Sequence, residues 1–320
     1  MTGRPTTAQL TVGVDVGGTN IRAGVVDDDG AVIDTVQAPT PGSEQALETA
    51  LAWAVTELRG RHEITAVGLA VAGFVTPDNA TVLFAPHLPW LRAPVSRRMS
   101  DRLALPVVLE HDANAAAWAE YRFGAAGGGR VVLLVAIGTG IGAALLIDGV
   151  LFRGAHGVAP ELGHLRVVPD GRACPCGKHG CWERYCSGTG LAATALEMLA
   201  ADPSRSSVLG REVSADPESL TGRTVMRAAR DGDQLAAAAV AELSRWLGEG
   251  LALASDIYDP DLIVVGGGVG ASATLFLDAA REHYAARVTG VDHRPLARIR
   301  TAQMGAAAGL VGAADLARHR

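Results

Sequence analysis

Val12-Gly-Val-Asp15-Val-Gly-Gly-Thr-Asn20-Ile-Arg-Ala-Gly-Val-Val26 runs apolar as far as an aspartate, breaks into two glycines, a threonine and an asparagine, then resumes as a second apolar run. Residues Val131–Ile147 repeat the plan, with an apolar run, Gly138-Thr-Gly-Ile-Gly142, and another apolar run. Each reads as strand, glycine turn, strand. Two such units in one chain indicate an internally duplicated α/β architecture.

Outward from the first unit, Ala31–Val36 follows the Asp27–Gly30 turn as a third strand, and Ser43 caps a helix over Glu44–Arg59. Ile64–Val71 and Pro106–Glu110 read as buried strands, and an alanine-rich helix runs from Asp112 to about Phe123. Gly124–Gly129 is the candidate boundary between halves. Later in the chain come a long helix over Gln234–Ile257 and a strand over Leu262–Val265 that runs into Gly266-Gly267-Gly268. Residues 200–222, polar with scattered Pro and Gly, read as an exposed excursion.

The 320 residues are 48% hydrophobic and 19% charged, with a net charge of −6, which argues against disorder and against a nucleic-acid partner. Lys178 is the only lysine. Neither a lysine-bearing P-loop nor a protein-kinase strand lysine is therefore available. The opening MTGRPTTAQL has no apolar signal core, and no run is long enough to span a membrane, so no targeting or membrane role is expected. Four clustered cysteines, Cys174, Cys176, Cys181 and Cys186, suit a metal loop in a reducing cytoplasm better than a disulfide framework.

Five segments carry chemistry. Gly17, Gly18, Thr19 and Asn20 offer backbone N–H groups, a hydroxyl and an amide to phosphate oxygens, and Asp15 can hold magnesium through water; the bland reading is a capped hairpin. Gly138, Thr139 and Gly140 form the matching turn, and Gly266, Gly267 and Gly268 a third loop for nucleotide approach or for helix packing. Asp112, where a strand meets a helix, is a candidate general base or a helix cap. His164 with Cys174, Cys176 and Cys181 offers an imidazole and three thiolates, a tetrahedral structural zinc set with free thiols as the alternative. Cys186 reads as a packing residue, and His156 and His179 as further candidate ligands.

These motifs together, with Ala136-Ile-Gly-Thr-Gly-Ile-Gly, Glu161-Leu-Gly-His, Cys174-Pro-Cys-Gly-Lys-His-Gly-Cys and Ile263-Val-Val-Gly-Gly-Gly, resemble the ROK family of sugar kinases and repressors, chiefly its ATP-dependent glucokinase type, from about Val12 to Leu310. The resemblance implies the actin-like, hexokinase-type (ribonuclease H-like) α/β fold of two domains around a central cleft. It places a small domain at 10–123, with a C-terminal helix at 304–320 packed back on it. A large domain at 124–303 carries the zinc loop at 164–183. It implies transfer of phosphate from ATP with Mg2+ to a hexose 6-hydroxyl, glucose first, with Asp112 as base. His87, His111, Asp112, Glu161, His164 and Glu183 fall at sugar-contact positions, His164 also serving zinc. A homodimer or homotetramer is implied too. The family's usual asparagines are replaced here by His87 and His111, and a glycine by Pro160, which puts the identity of the sugar in question. Another hexose or amino sugar, polyphosphate as donor, and a catalytically silent sugar-binding regulator are the alternatives. A repressor is disfavoured by the roughly ten residues that precede the first phosphate motif.

Overall fold

Strand β1 (Thr11–Val16) and strand β2 (Asn20–Val26) pair antiparallel, with Val14 opposite Ala23, in the computed structural model, which describes residues 9–202, 207–216 and 219–319. Strict alternation is absent where both faces are covered: Thr11–Val14 in β1 and Ala23–Val26 in β2 are buried at successive positions. Strand β3 (Val32–Pro39) follows a turn in which Gly30 takes φ 78° and Asp27 accepts the N–H groups of Asp29 and Ala31. After α1 (Glu44–Arg59), capped by Ser43, come β4 (Val67–Val71), the short strands β5 (Phe74–Val75), β6 (Val82–Phe84) and β7 (Leu91–Ala93), and α2 (Val95–Leu103). Strand β8 (Val107–His111) then leads directly into α3 (Asp112–Phe123). The first sheet has the order β3-β2-β1-β4-β8, antiparallel through β3, β2 and β1 and parallel from β1 through β4 to β8.

A second sheet repeats that plan. Its strands are β9 (Val131–Ile137), β10 (Ile141–Ile147), β11 (Val150–Phe152), β12 (Leu262–Gly266) and β13 (Arg298–Thr301), in the order β11-β10-β9-β12-β13, with β12 parallel to β9 and β13. Between β11 and β12 lie α4 (Gly188–Ala201), α5 (Val208–Ala215), α6 (Gly222–Arg230) and α7 (Gln234–Tyr258). The four-residue α8 (Gly267–Gly270) and then α9 (Leu277–Ala285) follow β12, and α10 (Ala308–Arg318) closes the described chain.

The residues fall into two compact units. The first runs to Gly128 and includes Ala144–Pro160 and the chain from Gln303 onward; the second comprises Gly129–Ala143 and Glu161–Ala302. The break at Gly128 lies inside the glycine run, and Ala144–Pro160 groups with the first unit instead of the second. Tyr121 against Gly149 and the Arg153–Glu110 ion pair tie that segment there. In the first unit α10 lies directly on sheet and helix backbone. A side-chain carbon at Gly13 would strike the Leu310 carbonyl, one at Gly68 the Ala313 carbonyl, and one at Gly312 the Ala115 carbonyl.

Residues 207–216 correct the expected excursion. They carry α5, with Leu209 buried, and Asp233 accepts the Ser207 hydroxyl and the N–H groups of Val208 and Leu209 while also capping α7. The rest of that expectation, at 203–206 and 217–218, lies outside the described residues, as does the opening segment 1–8.

Candidate active site and metal cluster

In the first unit, an apolar strand delivers charged groups at its end. Glu110 closes β8 almost wholly buried, and a buried carboxylate must be partnered. Its Oε1 accepts the His111 N–H (3.0 Å) and Asn114 Nδ2 (2.9 Å). Its Oε2 accepts Asn79 Nδ2 (3.2 Å) and Arg153 through Nε (3.0 Å) and Nη2 (2.5 Å). The strand-to-helix corner is thereby fixed from two other places in the chain, Asn79 and Arg153. His111 takes the cap position of α3 but makes no side-chain cap bond, and Asp112 is the first helical residue. Asp112 is 44% exposed; its Oδ1 accepts the Ala113 N–H (2.7 Å) and lies 3.2 Å from His111 Nε2. Oδ2 has no hydrogen-bond partner among the described residues.

Asp15 stands at the end of β1, opposite Arg22. Burial, reinforced by the negative charge of Asp112, pushes its carboxyl up to about 6, against the pull of Arg22. The turn beyond it is closed by the Gly17 N–H on the Asn20 carbonyl and braced from β3's end, where Thr40 Oγ1 donates to Gly17 O (2.6 Å) and Thr40 N to Thr19 O (2.9 Å). Gly18, Thr19 and Asn20 are exposed. His87, also exposed, backs this turn: a side-chain carbon at Gly18 would come within 2.8 Å of His87 Cβ. His111 thus lies beside Asp112, and Asp15 feels the Asp112 charge, while His87 backs the glycine turn.

The second unit holds the remaining candidates. The carbonyl of Gly138 accepts the Gly188 N–H (2.8 Å) and that of Thr139 accepts Thr189 Oγ1 (2.9 Å), so the turn between β9 and β10 rests on the start of α4. Gly267, at φ 84°, lies against the backbone of Ile137, which brings the Gly266–Gly268 loop beside the same turn. A side-chain carbon at Gly140 would meet the Glu183 carboxylate, which would have to shift to admit it.

His164, Cys174, Cys176 and Cys181 converge, their ligand atoms all within 4.8 Å of one another. Cys176 Sγ and Cys181 Sγ are 3.6 Å apart, and Cys174 Sγ is 3.8 Å from His164 Nδ1. A tetrahedral zinc with bonds of about 2.3 Å to sulfur and about 2.0 Å to nitrogen needs separations of about 3.5–3.8 Å; these two pairs stand near that spacing, the others lie within 4.8 Å, and three thiols with an imidazole are the donor chemistry that suits that ion. Burial pushes the Cys174 and Cys181 thiols up. At Cys176 burial opposes ionisation too, but the Lys178 N–H and the two facing thiols outweigh it, and this thiol lies below its usual range. Cys186 is fully buried against α7 and His156 and His179 are exposed; none of the three joins the group.

His164 is shared between two neighbours. Its Nδ1 faces the thiols and lies 3.6 Å from Glu183 Oε1, and its Nε2 lies 3.9 Å from Glu161 Oε2. Cys174 Sγ also donates to Glu183 Oε1 at 3.1 Å. Glu161, His164 and Glu183 therefore form one polar group beside the thiol cluster. Trp182 seats it: the indole is fully buried against Gly250 of α7, with Nε1 donating to the Trp246 carbonyl (2.7 Å). Sequence reasoning assigned no role to Glu110, Asn79, Asn114 or Arg153. The available signal was a carboxylate closing a buried apolar strand, which requires a cation and donors from elsewhere.

A duplicated α/β chain with a glycine turn after the first strand of each sheet, and no lysine beside either turn, defines a class of fold distinct from the P-loop enzymes. The profile of the ROK family matches residues 11–320. The glucokinase of Streptomyces coelicolor is 46% identical over 310 residues, covering 97% of this chain and 98% of its own. The crystal structure of a ROK family glucokinase from Streptomyces griseus in complex with glucose and AMPPNP aligns with a TM-score of 0.87 and 44% identity, over 97% of this chain and 100% of that one. The ROK hexokinase of Thermus thermophilus aligns with a TM-score of 0.80 and 33% identity, over 97% and 98%. The chain belongs to the ROK family and has its hexokinase-type fold.

Proposed function

We propose that the protein is an ATP-dependent hexose kinase that converts glucose to glucose 6-phosphate. The observation that carries this is Asp112, a half-exposed carboxylate with one bare oxygen, held at a rigid corner in the same unit as the Asp15–Asn20 turn. The full-length likeness to glucokinases supports glucose as acceptor. Asp112 accepts the proton of the 6-hydroxyl as that oxygen bonds to the γ-phosphorus and the bond to the β,γ-bridging oxygen breaks, leaving ADP. Backbone N–H groups and the Thr19 and Thr139 hydroxyls take the phosphate-holding part that lysine plays in P-loop enzymes. Magnesium bound with the nucleotide supplies charge neutralisation, and Asp15 would hold it through water. His87, Glu161, His164 and Glu183 would bind the sugar hydroxyls. Gly266–Gly268 would pass close to the nucleoside.

His164, Cys174, Cys176 and Cys181 would hold a structural zinc, which fixes the His164 ring by one nitrogen and leaves the other for substrate. A cytoplasmic homodimer or homotetramer is part of the same reading, and its mass in solution by light scattering tests the assembly. The activity is tested by ADP release with ATP, and then polyphosphate, as donor, over glucose, mannose, fructose, glucosamine, N-acetylglucosamine and N-acetylmannosamine. Turnover greatest on glucose with ATP supports the proposal. Binding of glucose without ADP release on any sugar overturns it in favour of a silent binder.

A further inference from the structure

We infer that the thiol cluster is a peroxide-sensitive control on sugar binding: Cys176 and Cys181 close to a disulfide, zinc leaves, and Glu161, His164 and Glu183 lose their support. The inference rests on the proposed kinase reading and its structural zinc. Among the three thiols Cys176 is exposed, while Cys174 and Cys181 are buried, so a dissolved oxidant meets Cys176 first. A second sulfur stands beside it. Cys181 Sγ lies 3.6 Å away, and the loop joining the two is doubled back by the Cys174 N–H on the Lys178 carbonyl (2.9 Å) and the Gly180 N–H on the Arg172 carbonyl (2.8 Å). Cys174 faces Glu183, donating to its Oε1 (3.1 Å), and Cys186 lies apart, fully buried with its thiol on the Leu243 carbonyl. The thiol that is oxidised first thus has a resolving sulfur next to it.

The step balances with hydrogen peroxide as the two-electron oxidant. The Cys176 thiolate attacks one peroxide oxygen and the O–O bond breaks, leaving a sulfenic acid and hydroxide. The Cys181 thiolate then attacks that sulfur and the S–O bond breaks, giving the disulfide and a second hydroxide; both hydroxides take up protons as water. Thiolates are the zinc ligands, so the ion keeps two donors of four and leaves. The effect passes to the sugar group through contacts already in place. His164 Nδ1 and Cys174 Sγ lie 3.8 Å apart across the centre, Cys174 holds Glu183 Oε1, and His164 Nε2 lies 3.9 Å from Glu161 Oε2. With the ion gone the His164 ring is free to turn, and both carboxylates lose a fixed neighbour.

The test treats the zinc-loaded protein with hydrogen peroxide and follows released zinc with a chromophoric chelator, remaining thiols under denaturing conditions, and glucose binding by calorimetry alongside kinetics. One zinc is expected to appear as two of the four thiols disappear, with peptide mapping placing the bridge between Cys176 and Cys181. Glucose affinity should fall by about tenfold and the KM for ATP should change by less than about twofold, both returning with dithiothreitol and zinc. Cys186→Ala should respond as the wild type does. Zinc retained with four thiols intact overturns the inference, as does a bridge that includes Cys174 or Cys186. Zinc lost with glucose affinity unchanged, or a loss that reductant and zinc do not reverse, also overturns it. A wild type that phosphorylates none of the six sugars overturns the kinase reading instead, a result visible before any peroxide is added, and the zinc, thiol and glucose-binding measurements still decide the thiol step.

Discussion

At Asp112 the two candidate roles, base and helix cap, make different predictions. The cap position of α3 belongs to His111, and Asp112 Oδ1 accepts the N–H of Ala113. Asp112→Asn keeps the shape and removes the proton acceptor. Turnover should fall by about 10²–10⁴-fold with nucleotide affinity preserved, as read by single-turnover kinetics and calorimetric ATP binding; near-wild-type turnover would return Asp112 to a structural role. Asp15 makes a different prediction, about stability. Its folded carboxyl sits at about 6, pushed there by burial and then by Asp112, whereas an unfolded aspartate titrates near 4. Between those values the folded state binds more protons than the unfolded state, so this group's contribution to stability falls as pH rises through about 4 to 6 and stays low above. The loss is at most about 3 kcal/mol, because each tenfold change in proton affinity is worth about 1.4 kcal/mol. Without nucleotide, Asp15→Asn should melt several degrees above wild type at pH 7.5 and show a flatter profile between pH 4.5 and 6.5, while losing turnover. An Asp15→Asn protein less stable than wild type at pH 7.5 would show that the carboxylate is needed for the fold.

Between Leu162 and Arg184, short 3₁₀ turns, glycines at positive φ and a buried tryptophan do the work that a helix or strand does elsewhere. The segment's backbone bonds are those of turns and isolated bridges, such as Trp182 N–H on Leu165 O and Gly180 N–H on Arg172 O, and side-chain cross-links add to them. Arg172 supplies one set, reaching Glu197, Thr194 and the carbonyls of Arg184 and Gly190 while lying over the Tyr185 ring. The thiol and imidazole group is the other. Since His164 Nδ1 faces the thiols and Glu183 accepts from Cys174, loss of that centre should disturb Glu161, His164 and Glu183 together. Cys176→Ser is expected to bring zinc from about one per chain to near zero, to lower the melting temperature by several degrees, and to raise the KM for glucose more than that for ATP. Metal analysis of the purified wild type and variant checks the first point, and steady-state kinetics the last. Wild-type protein without zinc, or a variant with unchanged melting and unchanged glucose KM, would leave the thiols a packing role alone.

Across the whole molecule, what could be read in the sequence is what is local. The doubled strand–turn–strand units, the helices of Glu44–Arg59 and Asp112–Phe123, and the Cys/His cluster each announce themselves within a few dozen residues through apolar runs, caps and ligand spacing. The hidden parts depend on partners far along the chain. Polar residues 207–216 looked exposed because the Asp233 carboxylate that orders them comes some 25 residues later. Strands β5, β6, β7, β11 and β13 are two to four residues long and carry too little pattern to register. Gly13 and Gly68 read as ordinary strand glycines, although each leaves room for the backbone of a helix about 300 and 245 residues away. That helix, α10, makes the last prediction. It buries Leu310, Val311, Ala313 and Ala314 on β1, β4 and α3. Its Asp315, fully buried, accepts Trp118 Nε1 (2.8 Å) and Arg122 Nε (3.1 Å) from α3. Just ahead of it, Glu120 of α3 accepts the N–H groups of Gln303 and Met304. Ending the chain at Ala302 would uncover the glycine-bearing faces of β1 and β4, take both donors from Glu120 Oε1 while Oε2 keeps the Ala125 N–H, and remove the counter-charge of Arg122. The truncated protein should lose cooperative melting and bind a dye specific for exposed apolar surface, and Gly312→Val should destabilise by more than about 3 kcal/mol through overpacking against the Ala115 carbonyl. The Cys/His cluster lies wholly in the other unit, so zinc retained by the truncated chain would localise the damage to the first unit. A truncated chain that melts cooperatively at the wild-type temperature would mean that the sheet β3-β2-β1-β4-β8 holds its form without α10.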